Sequence, residues 1–294
     1  MKLAHGTVQF GLNYGISNKH GQTTINEVKE ILEITKQNNI KLLDTASLYG
    51  KSETVLGKCL TPTDSFKIVT KTIRFNSPSI SDEECKKLVK NVENSLTNLQ
   101  RKNVHGVLFH NSNDVLVKNG KKLFNTMLKL KKNGVISKIG FSVYKSEEID
   151  RLLENYDFDI IQLPINIFDQ RLLKFEHLKK LKKAGVEIHA RSIFLQGLLL
   201  MPLNEIPSYF SPMYNHLKKY LSILKDGNIS PLQATLNFVK QIDEVDYIVI
   251  GVNNKQQLLE NINAYNKQVT LPWDKFAYFD NDNMLEPQKW NLHK

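Results

Sequence analysis

The feature that most constrains the fold is a repeated alternation of short apolar segments with longer amphipathic ones. Between residues 2 and 266, eight apolar runs such as IKLLD, FKIVTK and DYIVIGV are each followed by a helical pattern. This alternation predicts a parallel sheet with helical crossovers. Because the runs are continuous in Ile, Val and Leu, we expect strands that are buried on both faces. Eight such units in 294 residues predict an α/β fold, a single closed (β/α)8 TIM barrel, in place of an open sheet.

Helix start signals and the spaces between segments predict the organisation of the chain. TINEVKEILEITKQNN begins at a capping residue, Thr24, and SDEECKKLVKNVENSLTNL begins with a serine followed by acids. Residues 171–185 read as one helix, and the chain after residue 194 reads as irregular until a helix that begins near residue 230. Because no Pro/Gly/Ser-rich linker divides the chain, we predict one domain over residues 1–294, with residues 270–294 as a C-terminal tail over the barrel.

Composition narrows the class of protein. The net charge of +10 is spread over amphipathic segments such as KLFNTMLKLKKNG, which favours solvated helix faces. A positive field that attracts an anionic ligand is the alternative. The sequence contains no basic patch interleaved with aromatic residues, so it does not indicate nucleic-acid binding. Cys59 and Cys85 support no disulfide framework, and neither a signal peptide nor an apolar run of about 20 residues is present, so we expect a cytoplasmic protein without a membrane partner.

Four polar residues lie at the ends of predicted strands two, three and four or on the loop that follows, where TIM barrels carry their active sites. They are Asp44, Tyr49, Lys71 and His110. Taken singly, each residue also has an ordinary structural interpretation: Asp44 as a helix cap and Lys71 as a surface lysine. His110 reads as a loop histidine and Tyr49 as a packing residue. Their joint placement predicts that all four point into one mouth.

Such a group of side chains suits proton delivery to a carbonyl oxygen. A phenol with its ordinary pKa of about 10 is a weak acid at neutral pH. A buried lysine beside it is expected to lower that pKa, and a carboxylate keeps the lysine charged and in place. A neutral histidine can orient the carbonyl by donating a hydrogen bond. The group contains no nucleophile–base pair for acyl transfer and no cluster of metal ligands, so we predict no metal site.

The segment DTASLYGKSETVLG, residues 44–57, resembles the signature of the aldo-keto reductase superfamily. The spacing of the four polar residues is similar to the catalytic tetrad of that family, and the resemblance covers nearly the whole chain. It implies a barrel that binds NAD(P)H across its mouth without a Rossmann domain, and no G-x-G-x-x-G fingerprint occurs here. It also implies that Tyr49 is the general acid/base, that Lys71 and Asp44 tune it, and that His110 orients the carbonyl.

The resemblance implies two groups of cofactor-binding residues. The first group is Gly6, Thr7, Ser142, Gln162, Arg191, Ser192, Gln196 and Gly197. The second, at the adenosine end, is Gly251, Val252, Asn253, Asn254, Gln257, Glu260 and Asn261. An ordinary amphipathic helix is the alternative for the second group. NADP(H) is the favoured cofactor. NAD(H) is the alternative, because Gln257 stands where the family often has an arginine that pairs with the 2′-phosphate, and an amide lacks that charge.

Two departures from the family pattern fall near the expected nicotinamide site. Val143 replaces the usual asparagine, and Arg191 replaces the tyrosine that commonly stacks on the nicotinamide ring. A guanidinium plane can stack on an aromatic ring, and a salt bridge outside the pocket is the alternative for Arg191.

Substrate contacts are expected from residues 111–119, residues 202–226 and the tail. Five aromatic residues there are either pocket-lining or helix anchors: Tyr209, Phe210, Tyr214, Trp273 and Trp290.

These features predict an enzyme that reduces an aldehyde or ketone to an alcohol. The segments VQFGLNYGI and RSIFLQGLL and the P-x-x-W-N tail resemble a bacterial subgroup encoded among surface-polysaccharide genes, which implies a sugar or nucleotide-sugar carbonyl. One alternative is a non-catalytic, NAD(P)H-binding regulatory barrel subunit. Another is an aldolase-type barrel in which Lys71 forms a Schiff base.

Overall fold

The computed structural model describes residues 2–174 and 176–292, and within them eight parallel strands form a closed barrel in chain order. The strands are β1 Leu3–Gly6, β2 Leu42–Asp44, β3 Lys67–Lys71, β4 Val104–Phe109, β5 Ile136–Ser142, β6 Ile160–Pro164, β7 Glu187–Arg191 and β8 Tyr247–Gly251. The barrel closes where β1 pairs with β8 and Gly6 lies opposite Gly251. The prediction of a (β/α)8 TIM barrel is confirmed. Met1, Phe175 and residues 293–294 of the predicted domain lie outside the described residues.

Helices follow the strands on the outside of the barrel. They are α1 Val8–Gly11, α2 Ile25–Gln37, α3 Ser52–Cys59, α4 Asp82–Leu99, α5 Asn113–Leu116, α6 Lys121–Lys132, α7 Ser146–Asn155, α8 Arg171–Lys174, α9 His177–Lys183, α10 Tyr214–Asp226, α11 Pro231–Lys240 and α12 Lys255–Asn266. Thr24 caps α2 by accepting the N–H of Glu27, and Ser81 and Glu84 form a capping box at α4. In the part of the chain that is described, no helix is both long and apolar enough to span a bilayer.

Two predicted segments differ from the structure. The single helix predicted for residues 171–185 is divided into α8 and α9, because Glu176 adopts a left-handed conformation with φ 55° that no α-helix accommodates. The stretch predicted to be irregular contains α10. The pattern YNHLKKYLSILKD was a usable signal there, since its buried Leu217, Tyr220 and Leu224 recur at helical spacing.

The hydrophobic core has two parts of very different size. A small cluster fills the inside of the barrel, and its members come from alternate positions on five strands: Ala4, Leu42, Val69, Leu108 and Ile160. The larger cluster lies between the strands and the helices. Since both faces of the strands are covered by apolar side chains, polar side chains of the barrel collect at its two ends.

A group that we call the lower cluster lies at the N-terminal ends of the strands. Its carboxylate, Glu187, begins β7 and lies 2.5 Å from Lys138 Nζ and 2.7 Å from His189 Nε2. His105 Nε2 on β4 lies 3.8 Å from the same carboxylate. Burial acts to raise the pKa of Glu187, but its contacts with the two histidines and the lysine hold that pKa well below its ordinary value. The lower cluster is therefore built around a carboxylate that stays charged.

The C-terminal segment is fastened to the loop that follows β6. The backbone N–H of Tyr278 donates to the Phe168 carbonyl at 3.0 Å. Arg171 holds the segment through its Nη1, which lies 3.1 Å from Asp282 and 3.4 Å from Glu286. Glu286 is itself buried. These contacts place the next two residues, Pro287 and Gln288, at the C-terminal ends of the strands.

Candidate active site

The C-terminal ends of β2 and β3 bring a carboxylate and an ammonium group together. Asp44 ends β2 and Lys71 ends β3, and both side chains are almost fully buried. Lys71 Nζ donates to both carboxylate oxygens of Asp44 at 2.7 Å and to the carbonyl of Thr45 at 2.9 Å. Charges removed from water in this way are tolerated only when they are paired and hydrogen-bonded. The pair is therefore close to electrically neutral as a unit.

Tyr49 lies on the loop after β2, with its hydroxyl 3.4 Å from Lys71 Nζ. The ring of His110, which directly follows β4, meets the Tyr49 ring edge-on with 6.0 Å between centroids. The backbone of Tyr49 is held from behind by Gly11, since a Cβ atom there would overlap the Tyr49 carbonyl oxygen. Only a glycine permits so close an approach of two backbones.

The environment of Tyr49 differs from the expectation of a lowered pKa. Burial and the negative charge of Asp44 raise the pKa of Tyr49 well above its ordinary value. The ammonium group of Lys71 does not reverse this effect, because Asp44 largely cancels its charge at 2.7 Å. Burial also lowers the pKa of Lys71, while Asp44 acts in the opposite direction. Tyr49 is thus a neutral phenol at physiological pH, which is the form that can donate a proton.

His110 is held as a neutral imidazole. Burial, reinforced by the nearby positive charges of Lys71 and Arg74, lowers its pKa to about 3. Its backbone N–H donates to Thr72 Oγ1 at 3.3 Å. Within the described residues, ring nitrogen Nδ1 is buried without a hydrogen-bond partner. A neutral imidazole carries one ring N–H, so His110 can act as a hydrogen-bond donor in the cleft next to the Tyr49 hydroxyl.

Gln162 links the tetrad to the predicted cofactor residues. It lies on β6 and is buried, and its Nε2 donates to Asp44 Oδ1 at 2.7 Å. Asp44 therefore accepts hydrogen bonds from both Lys71 and Gln162. A residue predicted from the resemblance as a cofactor contact thus also holds the carboxylate in place.

Arg191, at the end of β7, faces the same cleft. Its guanidinium donates to the Val143 carbonyl at 3.0 Å and to Ser192 Oγ at 3.1 Å. Its Cζ atom lies 4.2 Å from the centroid of the Tyr144 ring, which is a cation–π arrangement. No carboxylate pairs with Arg191 among the residues described. The structure thus brings Arg191 to the pocket, and the alternative of an outside salt bridge is wrong.

A cleft of about 520 Å³ opens where these side chains meet. Its lining includes the four tetrad residues Asp44, Tyr49, Lys71 and His110. It also includes nine of the residues predicted to bind cofactor: Gly6, Thr7, Ser142, Gln162, Arg191, Ser192, Gln196, Gly197 and Gly251. A volume of this order is typical of small-molecule sites. The sequence prediction of one shared mouth agrees with this placement.

The remaining cofactor predictions lie around the start of α12, outside the lining of the cleft: Val252, Asn253, Asn254, Gln257, Glu260 and Asn261. Asn254 caps α12, because its side chain accepts the N–H of Gln257 at 2.9 Å. The side chain of Gln257 in turn accepts the backbone N–H of Asn253 at 2.8 Å. Glu27 of α2 accepts the backbone N–H of Lys255, so a carboxylate already lies at this helix N-terminus.

The chain also resembles known proteins over almost its whole length. The sequence model of the aldo/keto reductase family matches residues 2–282. The chain belongs to the aldo/keto reductase family. The general chemistry of that family is the reduction of carbonyl groups, so this aldo/keto reductase is an oxidoreductase. Among curated protein sequences, no significant match to the chain is found.

Solved structures similar to this aldo/keto reductase support the same fold. The holo form of an aldo-keto reductase from Bacillus halodurans is 20% identical, with a TM-score of 0.75 over 95% of this chain and 94% of its own. A protein from Pseudomonas aeruginosa described as an aldo-keto reductase is 22% identical, with a TM-score of 0.66 over 90% and 89%. A second structure so described, also from that organism, is 21% identical, with a TM-score of 0.65 over 90% and 88%.

Several residues that line the cleft of this aldo/keto reductase were not found by sequence reasoning: Leu12, Tyr14, Leu48, Arg74, Tyr144 and Phe194. Pro287 and Gln288, which also line it, belong to the tail from which substrate contacts were expected. Leu12, Tyr14, Leu48 and Arg74 come from the loops after β1, β2 and β3, whereas substrate contacts were expected from residues 111–119, residues 202–226 and the tail. Burial and the neighbouring Tyr49 raise the pKa of Tyr14 to about 12. The one available signal was position, since Arg74 follows Lys71 by three residues and Tyr144 follows Ser142 by two.

The five aromatic residues considered for a substrate pocket do not line the cleft. Phe210 is buried and packs edge-on against Trp290 with 4.7 Å between centroids. Trp273 packs against Phe238, and its carbonyl accepts a hydrogen bond from Gln170. The anchoring interpretation therefore fits Phe210, Trp273 and Trp290, whereas Tyr214 is exposed. Within the described residues, no group of three His, Cys, Asp or Glu side chains is arranged to hold a metal ion.

Proposed function

We propose that this aldo/keto reductase reduces an aldehyde or ketone to an alcohol with NAD(P)H, and that Tyr49 supplies the proton. The observation that carries the proposal is the convergence of Asp44, Lys71, Tyr49 and His110 in one cleft at the C-terminal ends of the strands. When bound, the reduced nicotinamide supplies a hydride to the carbonyl carbon. The Tyr49 hydroxyl then gives its proton to the carbonyl oxygen, and the product is the alcohol.

Each remaining member of the tetrad supports that proton transfer. His110, which lines the cleft with its ring edge-on to Tyr49, holds the carbonyl oxygen beside the phenol by donating a ring N–H. As the phenol loses its proton, the Lys71 ammonium at 3.4 Å stabilises the developing negative charge. Asp44 and Gln162 keep that ammonium in place. A neutral imidazole and a neutral phenol both act as hydrogen-bond donors, so no group has to change its charge before the substrate binds.

The segment of residues 192–197 fits the role of a cofactor-binding loop. Ser192, Leu195 and Gln196 adopt left-handed conformations with φ of 59°, 48° and 54°, and Gly197 follows with φ 95°. Non-glycine residues in this region carry strain, which is typical of ligand clamps. The loop is held against the loop after β1, where Ile16 N–H donates to the Gln196 carbonyl at 3.0 Å. We propose that this loop contacts the pyrophosphate and that Ser142, Gln162 and Arg191 hold the nicotinamide.

The choice between NADPH and NADH is a further part of the proposal. The sequence resemblance favours NADPH. The Glu27 carboxylate at the N-terminus of α12 favours NADH, because it would repel a 2′-phosphate bound there. Fluorescence titration with both reduced cofactors decides between them. If Glu27 disfavours NADPH, Glu27→Gln improves NADPH affinity relative to NADH by about 2–5-fold. Glu33→Gln, on the same helix, is the control and leaves the ratio unchanged.

The substrate class and the role of the tail also belong to the proposal. A sugar or nucleotide-sugar carbonyl is the substrate class that the sequence resemblance implies. We propose that residues 1–294 act as one domain and that the tail serves as a wall of the substrate site. The contribution of Pro287 and Gln288 to the cleft supports this role for the tail.

Tyr49→Phe tests the proposed chemistry. Initial rates are measured with NADPH and NADH on a panel of aldehydes, ketones and sugar carbonyls. Loss of a positioned general acid lowers the rate by about 10²–10⁴-fold. Tyr14→Phe, which removes the other phenol that lines the cleft, leaves it within about threefold. Wild-type rates in Tyr49→Phe would refute the assignment, and cofactor binding without turnover on the whole panel would favour a regulatory subunit.

The Schiff-base alternative is tested in the same preparation. Burial lowers the pKa of Lys71, which would suit a nucleophilic amine, but its Nζ already donates to Asp44 and to the Thr45 carbonyl. Borohydride treatment in the presence of a carbonyl substrate, followed by mass spectrometry, is expected to give no adduct on Lys71. An adduct there would replace the proposed mechanism with an aldolase-type one.

A further inference from the structure

Arg74 is the only one of the five arginines in the chain to which the described residues supply neither a hydrogen bond nor an ion pair. Arg101 and Arg151 donate to backbone carbonyls. Arg171 pairs with three carboxylates, and Arg191 donates to Val143 and Ser192 and lies over the Tyr144 ring. Arg74 is exposed and lines the cleft three residues beyond Lys71. Its guanidinium is therefore free to meet a ligand.

The backbone on both sides of Arg74 is nevertheless fixed. Ile73 N–H donates to the side chain of Asn91 at 3.0 Å. The N–H groups of Phe75 and Asn76 donate to the two carboxylate oxygens of Asp114 at 3.1 and 3.2 Å. Asp114 is buried, and its oxygens are occupied by these contacts and by Asn111. The loop thus presents an exposed charged side chain from a hydrogen-bonded backbone, which reduces the ordering cost of binding.

Arg74 has no acidic partner in the described lining of the cleft, although its charge acts to lower the pKa of the buried Asp114 carboxyl behind the loop. Asp44 is the one carboxylate in the described lining, and it is committed to Lys71 and Gln162. Two positive charges, Arg74 and Arg191, therefore face the cleft without an acidic partner. β3 and β7 are four strands apart in an eight-stranded barrel, so these two arginines lie on opposite sides of the mouth. Arg191 is on the side proposed for the nicotinamide, and Arg74 is on the side left for substrate.

We propose that Arg74 binds an anionic group of the carbonyl substrate, a carboxylate or a phosphate. A guanidinium presents a planar fork of donors that matches both groups bidentately. The apolar side chains of Leu12 and Leu48, which also line the cleft and are partly exposed, contact the uncharged part of such a substrate. The inference rests on the proposed function, because it assigns the substrate class of that same site.

Matched pairs of charged and neutral aldehydes test the role of Arg74. The pairs are 3- and 4-carboxybenzaldehyde with their methyl esters, and glyceraldehyde 3-phosphate with glyceraldehyde. In Arg74→Ala, kcat/KM for the preferred anion falls by about 10–100-fold, mainly through KM, because one charge-assisted contact is lost. The neutral partner changes by less than about threefold. Arg74→Lys, which keeps the charge without the fork, gives an intermediate loss. The pair with the larger loss identifies the anion.

Two controls separate this inference from the proposed function. Arg101→Ala, at a partly exposed arginine outside the cleft, leaves every ratio unchanged. Calorimetric titration with 4-(hydroxymethyl)benzoate and with glycerol 3-phosphate, the alcohol products, measures anion binding without turnover. Equal changes for charged and neutral members of every pair, or equal product affinities in wild type and Arg74→Ala, overturn the inference. A wild-type protein that binds these anions through Arg74 but reduces no carbonyl refutes the proposed function alone.

Discussion

The two ends of the barrel each carry a carboxylate that is paired with a lysine, but only one of them faces a cleft. At the lower end, Glu187 is bound by Lys138 and His189, and the Lys138 side chain is 30% exposed. At the upper end, Asp44 is bound by Lys71 and Gln162, and the Lys71 side chain is 1% exposed. Lys71 also contacts the Tyr49 hydroxyl, which lines the cleft. Among the described residues, Glu187 and Lys138 contact no residue of the cleft lining that could meet a ligand. Lys71, in contrast, contacts a phenol that faces the cleft.

This difference is instructive because both pairs perturb pKa values. The pKa of Glu187 is strongly lowered, although the lower cluster lies on the face where TIM barrels carry stability and not catalysis. A perturbed pKa is therefore not evidence of a catalytic site by itself. The distinguishing feature is the cleft: Asp44 and Lys71 line it together with Tyr49 and His110, whereas Glu187 and Lys138 do not.

The largest expected effect comes from exchanging the two lysines for methionine, one at a time. Lys71→Met lowers kcat for carbonyl reduction by about 10²–10⁴-fold, because proton transfer from Tyr49 loses the charge that stabilises it. Lys138→Met is the matched change at the lower end and leaves kcat within about twofold. Steady-state kinetics on variants of verified fold measures both. Comparable losses in the two variants would remove the distinction between the ends.

The next largest effect is on stability. Asp44→Asn leaves the Lys71 ammonium buried without a counter-ion, which costs about 3–5 kcal/mol of unfolding free energy. Glu187→Gln costs about 1–3 kcal/mol, because Lys138 is partly exposed and remains hydrated. Urea denaturation of both variants at neutral pH measures the two losses. A larger loss for Glu187→Gln than for Asp44→Asn would reverse the assignment of the more deeply buried charge.

The stability of the lower cluster depends on pH with a defined sign. The pKa of Glu187 is lower in the folded protein than its ordinary value of 4.5, so its contribution is complete above that value and is lost as the pH falls. The difference in unfolding free energy between wild type and Glu187→Gln therefore shrinks below about pH 4.5. Denaturation curves from pH 7 to pH 3 measure this trend. A difference that grows in acid would show that Glu187 is not stabilised in its charged form.

The smallest effect is expected in the pH dependence of activity. Because the pKa of His110 is lowered to about 3, the imidazole stays neutral across the physiological range. The rate of carbonyl reduction is therefore constant within about twofold between pH 5 and pH 8. Rate profiles in buffers of constant ionic strength measure it. An acidic limb near pH 6.5 that disappears in His110→Gln would show that this histidine titrates in the working range.

The barrel, and the convergence of four polar residues on one cleft, could be predicted because both depend on short stretches of sequence. Strands buried on both faces give continuous apolar runs, and Asp44, Lys71 and His110 stand directly at the ends of such runs. The contacts of Glu187 with Lys138 and His105 could not be predicted, since they depend on strand register across β4, β5 and β7. A change of register by one residue moves every side chain to the other face.

The loop residues that line the cleft were the hardest part of the site to predict from the sequence. Arg74 and Tyr144 reach the cleft through loop conformations that are set by distant contacts, such as those of Asp114 with the residues after Arg74. The expectation of a lowered pKa for Tyr49 was wrong for a related reason. It counted the charge of Lys71 but not the distance of 2.7 Å at which Asp44 cancels that charge. Pairing geometry of this kind is not visible in a sequence.

The close contact of Gly11 with the backbone of Tyr49 limits how the protein can be altered by evolution or design. Any side chain at Gly11 must displace the carbonyl of Tyr49, and with it the loop that carries the phenol. The same cleft offers Leu12, Leu48 and Arg74, whose side chains are at least partly exposed. A library for new substrates should therefore randomise those three positions and hold Gly11 constant. Mutational tolerance is then expected to change abruptly between residues 11 and 12, within one step along the chain.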